Sequence, residues 1–267
     1  MNLLAARVVL RQRSLADSLD LALPFCLANK RPLGVLAVVV LGPLAALTAY
    51  LRIARHWPWP ALWAVCVAWS LLFEGVFTVA LGELLFKPPS EVRVRTFIAR
   101  FFRRFPAIVV AVAVRQVVLA FAATLVIFPV FIVAPSSIFV PEAVLLEGAT
   151  LGKALARSRA LARNRGGTCI GIWVASLLLI ALGAVSMDVV CNSVVGFVLQ
   201  LGSPTGELFE NGGSGFAVLG ALLAVPLAAA VRFLGYVDLR TRKEGWDIQL
   251  RFVALAEQNA LWKRRAA

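Results

Sequence analysis

The chain has 267 residues, 61% of them hydrophobic and 15% charged, far more apolar surface than one soluble core can hide. A soluble globular enzyme is excluded, and an all-α polytopic membrane bundle is predicted. The formal net charge of +13 is not the footprint of a nucleic-acid binder, because 23 of the 27 Lys and Arg fall in four short islands, 7–31, 87–104, 153–165 and 240–265, that flank apolar stretches. Cytoplasmic loops and anionic headgroups select that pattern.

About thirty mixed residues precede the first long apolar run, so no cleaved leader is expected. Within them, Ser14 with Asp17 three residues on resembles a capping box and opens an interfacial helix over 14–31. The first span follows at 33–51 and the second at 61–86, each long enough for a hydrocarbon core of roughly 30 Å. A second interfacial helix is predicted over 90–105, capped by Ser90. Its apolar stripe of Val94, Phe97, Ile98, Phe101 and Phe105 faces lipid, and Arg93, Arg100, Arg103 and Arg104 face headgroups. The stretch 106–146 is too long for one span, and charge decides its reading. One crossing would put the 153–165 island opposite 87–104, whereas two keep every island on one side. Spans at 107–127 and 130–147 are therefore predicted, with a tight turn near Phe128 and Pro129.

A third interfacial helix, 150–165, starts at Thr150 and carries the stripe Leu151, Leu155, Ser158 and Ala162. The fifth span is placed at 168–190, an irregular outer loop with Glu207 and Glu210 at 191–215, and the sixth span at 216–237. A last amphipathic helix, 247–265, carries Ile248, Phe252, Leu255, Ala256 and Trp262 beside Arg251, Lys263, Arg264 and Arg265, and lies on the membrane or docks a partner. The prediction is one membrane domain over 1–267, with six spans and both termini cytoplasmic. The cadence of interfacial helix plus hairpin suggests three parallel repeats.

Ionisable groups at membrane depth are costly unless paired or hydrated. At 1.5 Å per residue Arg115 lies about 14 Å and Glu74 about 18 Å from the cytoplasmic ends of their spans, so the two can meet near the midplane. Glu142 and Arg232, each about 8 Å in, form a second candidate pair, with snorkelling of Arg232 to the headgroups as the alternative. These charges serve either as structural ion pairs or as a polar path for a proton, ion or headgroup. Pro129, Pro135, Pro141 and Pro226 kink spans four and six, and such breaks can line a cavity. Cys26, Cys66, Cys169 and Cys191 are widely spaced, and with His56 they make no metal-ligand set. They read as packing residues, and no metal or cofactor is expected.

Three segments are more specific than composition. Arg13-Ser14-Leu15 is followed by Asp17, Leu19 and Asp20. Pro141-Glu142-Ala143-Val144-Leu145-Leu146-Glu147-Gly148 is followed by Ala154-Leu155-Ala156-Arg157-Ser158. Tyr236-Val237-Asp238-Leu239-Arg240 is followed by Arg242-Lys243-Glu244-Gly245 and Asp247. Together they resemble the six-span membrane domain attached to some glycerophosphoryl diester phosphodiesterases, and its free-standing bacterial relatives. In those fusions the chemistry belongs to a separate soluble barrel with histidines and metal-binding carboxylates. The resemblance therefore implies a membrane module and not the hydrolase.

The sequence points to a non-enzymatic bacterial inner-membrane protein, an anchor, scaffold or subunit of a membrane complex, with a transporter or channel-like component as the alternative. Expected partners are anionic headgroups and another membrane protein. Arg100, Arg103, Arg104, Arg157, Asp238, Arg240, Arg242 and Glu244 are the candidate docking or lipid contacts.

Overall fold

The computed structural model describes residues 14–87, 91–125, 127–200 and 205–244. The cap at Ser90 and the helix expected over 247–265 lie outside them. Helix α1 (Leu15–Ala28) starts at a reciprocal cap: the Ser14 hydroxyl accepts from the Asp17 N–H at 3.1 Å, and the Asp17 carboxylate accepts from the Ser14 N–H at 3.0 Å. Asn29 is the single-residue pivot to α2 (Lys30–Arg55), its amide donating to the Phe25 carbonyl at 2.8 Å. Left-handed His56 ends α2, and Pro58 and Pro60 open α3 (Trp59–Leu84), where a missing N–H costs nothing.

Helix α4 (Val94–Arg103) begins later than the expected 90, with Arg93 at the cap position and no side-chain cap bond. Its placement also departs from expectation. Phe97 and Phe101 are fully buried in the bundle and do not face lipid. Phe101 docks on Phe73 of α3, which also meets Phe105 and carries Trp69 stacked on it at 4.5 Å, so aromatic pairing holds α4 against protein.

Helix α5 (Phe105–Leu125) is followed by α6 (Ile127–Ser137), so Phe128 and Pro129 belong to the first turn of α6 and not to the hairpin turn. The fourth span is broken. After Ser137 it resumes as α7 (Val140–Glu142) and a π-helical turn, Ala143–Glu147. Two local causes coincide: the Ser136 and Ser137 hydroxyls donate back to the Val133 carbonyl, and Pro141 has no N–H to continue the ladder. Helix α8 (Leu151–Ala162) repairs part of the break, since its buried Ser158 hydroxyl accepts from the Phe139 N–H at 3.2 Å.

Helix α9 (Gly166–Ser193) continues through a π-helical turn to Val198, beyond the expected end at 190 because Val194, Phe197 and Val198 keep it apolar and no proline intervenes. A short α10 (Leu208–Asn211) precedes α11 (Gly215–Glu244), which runs past the expected 237. Six of these helical stretches are long and apolar enough to cross a membrane, and the chain is an all-α polytopic membrane bundle.

The sixth span is the centre of that bundle, 72% of its apolar window being buried, against 17% for the fifth, which faces outward. Helix α11 packs on α9, α3, α1 and α2. The approach to α9 is closest at Gly183 and Gly220, where an added Cβ on either would strike the other's backbone carbonyl.

Candidate functional site

Glu74 on α3, Arg115 on α5, Glu142 on α7 and Arg232 on α11 are all buried and converge in the bundle interior. Arg232 Nε donates to Glu142 at 2.7 Å, and its Nη1 donates to Glu74 at 2.8 Å. One guanidinium thus ties three helices, which its planar fork of five donors permits and a lysine would not. The expected pairing of Glu74 with Arg115 is replaced by this bridge. Helix α11 runs on to Glu244, so Arg232 lies twelve residues, about 18 Å, from its end, and Glu74 lies ten residues, about 15 Å, from the end of α3, which brings the two within reach. Arg115 interacts electrostatically with both carboxylates. It makes no hydrogen bond to them, and its buried Nε has no partner among the described residues.

Arginines of the 87–104, 153–165 and 240–265 islands meet at one end of the bundle. A cavity of about 330 Å³ is rimmed by Arg100, Arg103, Arg104 and Arg240 over an apolar floor that includes Phe233 and Leu146. Two carboxylates organise it. Glu83 holds Arg100 at 2.7 Å. Glu147 holds Arg157 at 3.2 Å and Arg240 at 3.3 Å, and accepts from the Tyr236 hydroxyl. Gly148, left-handed at φ 73°, turns the chain into α8 directly beneath the Arg104 guanidinium. Arg103 and Arg104 have no ion pair among the described residues, so four arginines against two carboxylates leave the rim positive. Asp238 pairs with Arg242 at 2.8 Å one turn along α11, beside Ser14 and Arg165. Glu244 ends α11 and its side chain lies outside the described residues.

Glu83, Glu147 and Tyr236 are the organising groups that residue-type reasoning missed. Their signal was position: acids at the ends of spans, next to arginine-rich segments. At the opposite end of the bundle Asp188, an acid near the end of its span with no arginine-rich segment beside it, is buried and accepts from the Ser214 hydroxyl, from Asn192 at 3.0 Å and from the Leu208 N–H at 3.1 Å. That carboxylate ties α10 and the start of α11 to α9, so the stretch expected to be irregular is in part ordered. Nearby, the Arg52 guanidinium lies 5.0 Å from the Trp59 ring, and Trp63 donates to the Gly212 carbonyl at 3.1 Å.

The four cysteines are free thiols. Burial pushes the Cys26 thiol up to about 11, which keeps it un-ionised at neutral pH. Among the described residues no group of His, Cys, Asp or Glu could hold a metal ion. Comparison of the chain with family models, curated proteins and solved structures finds no match.

Proposed function

We propose that this multi-span membrane protein is a non-enzymatic scaffold or subunit of a membrane complex, held in a bacterial inner membrane with its basic end cytoplasmic. One observation carries the reading: the deep acids are consumed by the Arg232 bridge, and none of the described cavities is lined by Glu74, Glu142 or Arg232. A proton or ion path presents titratable groups along a wetted route, whereas a closed three-helix lock holds a shape. The positive rim at the basic end supports contact with anionic headgroups. The likeness of three segments to a phosphodiesterase-associated membrane domain supports the same reading, a module without the hydrolase chemistry.

The broken fourth span favours one second reading, a transporter of a small solute or lipid, since unwound segments are where transporters bind their cargo. Affinity purification of the full chain in mild detergent separates the two. A stoichiometric membrane partner is expected; an isolated protein with solute density between its spans would replace the scaffold reading. Reporter fusions at Arg163 and Gly212 test the orientation and are expected on opposite sides, with Arg163 cytoplasmic.

A further inference from the structure

The Arg232 bridge leaves one deep guanidinium without a hydrogen bond. Arg115 lies ten residues, about 15 Å, into α5 from Phe105. It is 91% buried (9% exposed), and its guanidinium has no hydrogen bond and no ion pair among the described residues. A buried arginine without hydrogen bonds is expensive even where carboxylates balance its charge, and its five donors call for acceptors that the described residues do not supply.

Arg115 lines a cavity of about 300 Å³ between α5, α6 and α8. Three features of the cavity define what fits. Its walls are mainly apolar, with Val114, Val118, Val133 and Leu155 among them, and Val114 and Val118 are exposed on the outer surface of the bundle, so the opening is lateral. Leu151 and Gly152, in the first turn of α8, also line it, and the Thr150 side chain does not cap that turn, so its N–H groups stay available to an acceptor. Arg159, exposed and without an ion pair among the described residues, stands on the same wall one turn beyond Leu155.

Glu74, Glu142, Arg232 and Arg115 sum to zero charge. With Arg159 and the positive end of α8 added, the cavity itself is positive. The hydroxyl hydrogens of Ser136 and Ser137 are committed to the Val133 carbonyl, so the donors left for a ligand are guanidinium and backbone N–H groups, which suit an anion.

We propose that this lateral cavity is a binding site for an anionic phospholipid, with the phosphate held by Arg115 and the first turn of α8 and an acyl chain lying along Val114, Val118 and Val133. The site is separate from the basic rim at the end of the bundle and does not depend on the scaffold reading.

Native mass spectrometry of the full chain in detergent tests it, titrating phosphatidylglycerol, phosphatidylcholine of the same acyl chains, and inorganic phosphate. The tightest-bound lipid is expected to be phosphatidylglycerol. Arg115→Gln is expected to weaken it by about tenfold or more, the loss of at least one charged hydrogen bond. Gly152→Phe puts bulk at the cavity wall, where an added Cβ meets nothing within 4 Å, so it is expected to expel the lipid while the protein still folds, and it serves if Arg115→Gln does not. The double variant Arg103→Gln, Arg104→Gln is expected to keep the tightest lipid. Unchanged binding in Gly152→Phe, loss of the tightest lipid in the double variant, or inorganic phosphate binding as tightly as the phospholipid would each overturn the proposal.

Discussion

Replacing Arg232 by Met tests whether the charge bridge is a lock. The substitution keeps roughly the length and apolar bulk of the side chain, so its main effect is electrostatic. It strips the Glu142 carboxylate, which is fully buried, and that of Glu74 of the donors they share at 2.7 and 2.8 Å. Leaving a buried partner uncompensated costs about 3–5 kcal/mol. For a chain of this size that corresponds to a fall in melting temperature of roughly 6–20 °C. The protein carries its own reporter, because Cys66 and Cys169 are free thiols buried in the core. A thiol-reactive fluorogenic maleimide added during a thermal ramp in detergent reads the unfolding that exposes them. The quadruple variant Arg232→Met, Arg115→Met, Glu74→Gln, Glu142→Gln removes all four charges of the cluster and is expected to recover most of the loss, since replacing a whole buried ion cluster by neutral groups is often close to neutral. A single variant melting within about 2 °C of the parent, below 1 kcal/mol on the same scale, refutes the lock. A quadruple variant no more stable than the single one refutes the electrostatic explanation of it.

Three further predictions follow from local geometry. Gly148→Ala forces a Cβ onto a left-handed residue and is expected to cost about 1–2 kcal/mol in the same thiol assay; adding Arg104→Ala should not restore it, because the strain is in the backbone and the guanidinium above it can move. Gly220→Leu would drive side chain into the Gly183 carbonyl and the Met187 Cβ, so α9 should separate from α11, read as loss of a disulfide engineered between the two helices. Asp188→Ala removes the acceptor shared by Ser214, Asn192 and the Leu208 N–H. It is expected to speed cleavage near Leu208–Asn211 by protease added on that side at least several-fold, because a charged acceptor is worth about 1.5–3 kcal/mol per bond; an unchanged rate would show that α10 is held by other contacts.

The six spans were legible because the partition between water and lipid is a one-dimensional property. A run of apolar residues and the charge that interrupts it can be counted along the chain, and the choice of two crossings for 106–146 needed only the sign of the flanking islands. The helices α1, α4 and α8 were legible as amphipathic, but which surface their apolar stripes would meet was not. A stripe of Phe97 and Phe101 is as compatible with lipid tails as with Phe73, and only the folded position of α3 decides between them. Boundaries moved where backbone chemistry overrode hydropathy, as at Ser136, Ser137 and Pro141, whose back-bonding and missing N–H break the fourth span inside an apolar run.

The charges show the same division most sharply. That Glu74, Arg115, Glu142 and Arg232 stand out as a group follows from composition, because ionisable residues inside spans are few. Which acid meets which base depends on how each helix is placed along its axis, and α11 continues seven residues, about two turns, past the expected end at 237. With that extension Arg232 reaches two acids at once, and the arithmetic of pairs fails: two acids and two bases form one three-body bridge and one arginine left over. The leftover is then the informative residue. A pairing of Glu74 with Arg115 would have closed both charges into the core and left the α5–α6–α8 cavity without a donor. Because Arg232 takes the hydrogen bonds of both carboxylates, the cavity keeps the Arg115 guanidinium in its wall. Weakening the lock by Glu74→Gln should therefore shift Arg232 toward Glu142 alone and leave the cavity's preference for phosphatidylglycerol intact, whereas a preference lost with Glu74 would mean that Arg115 is held in place by that acid after all.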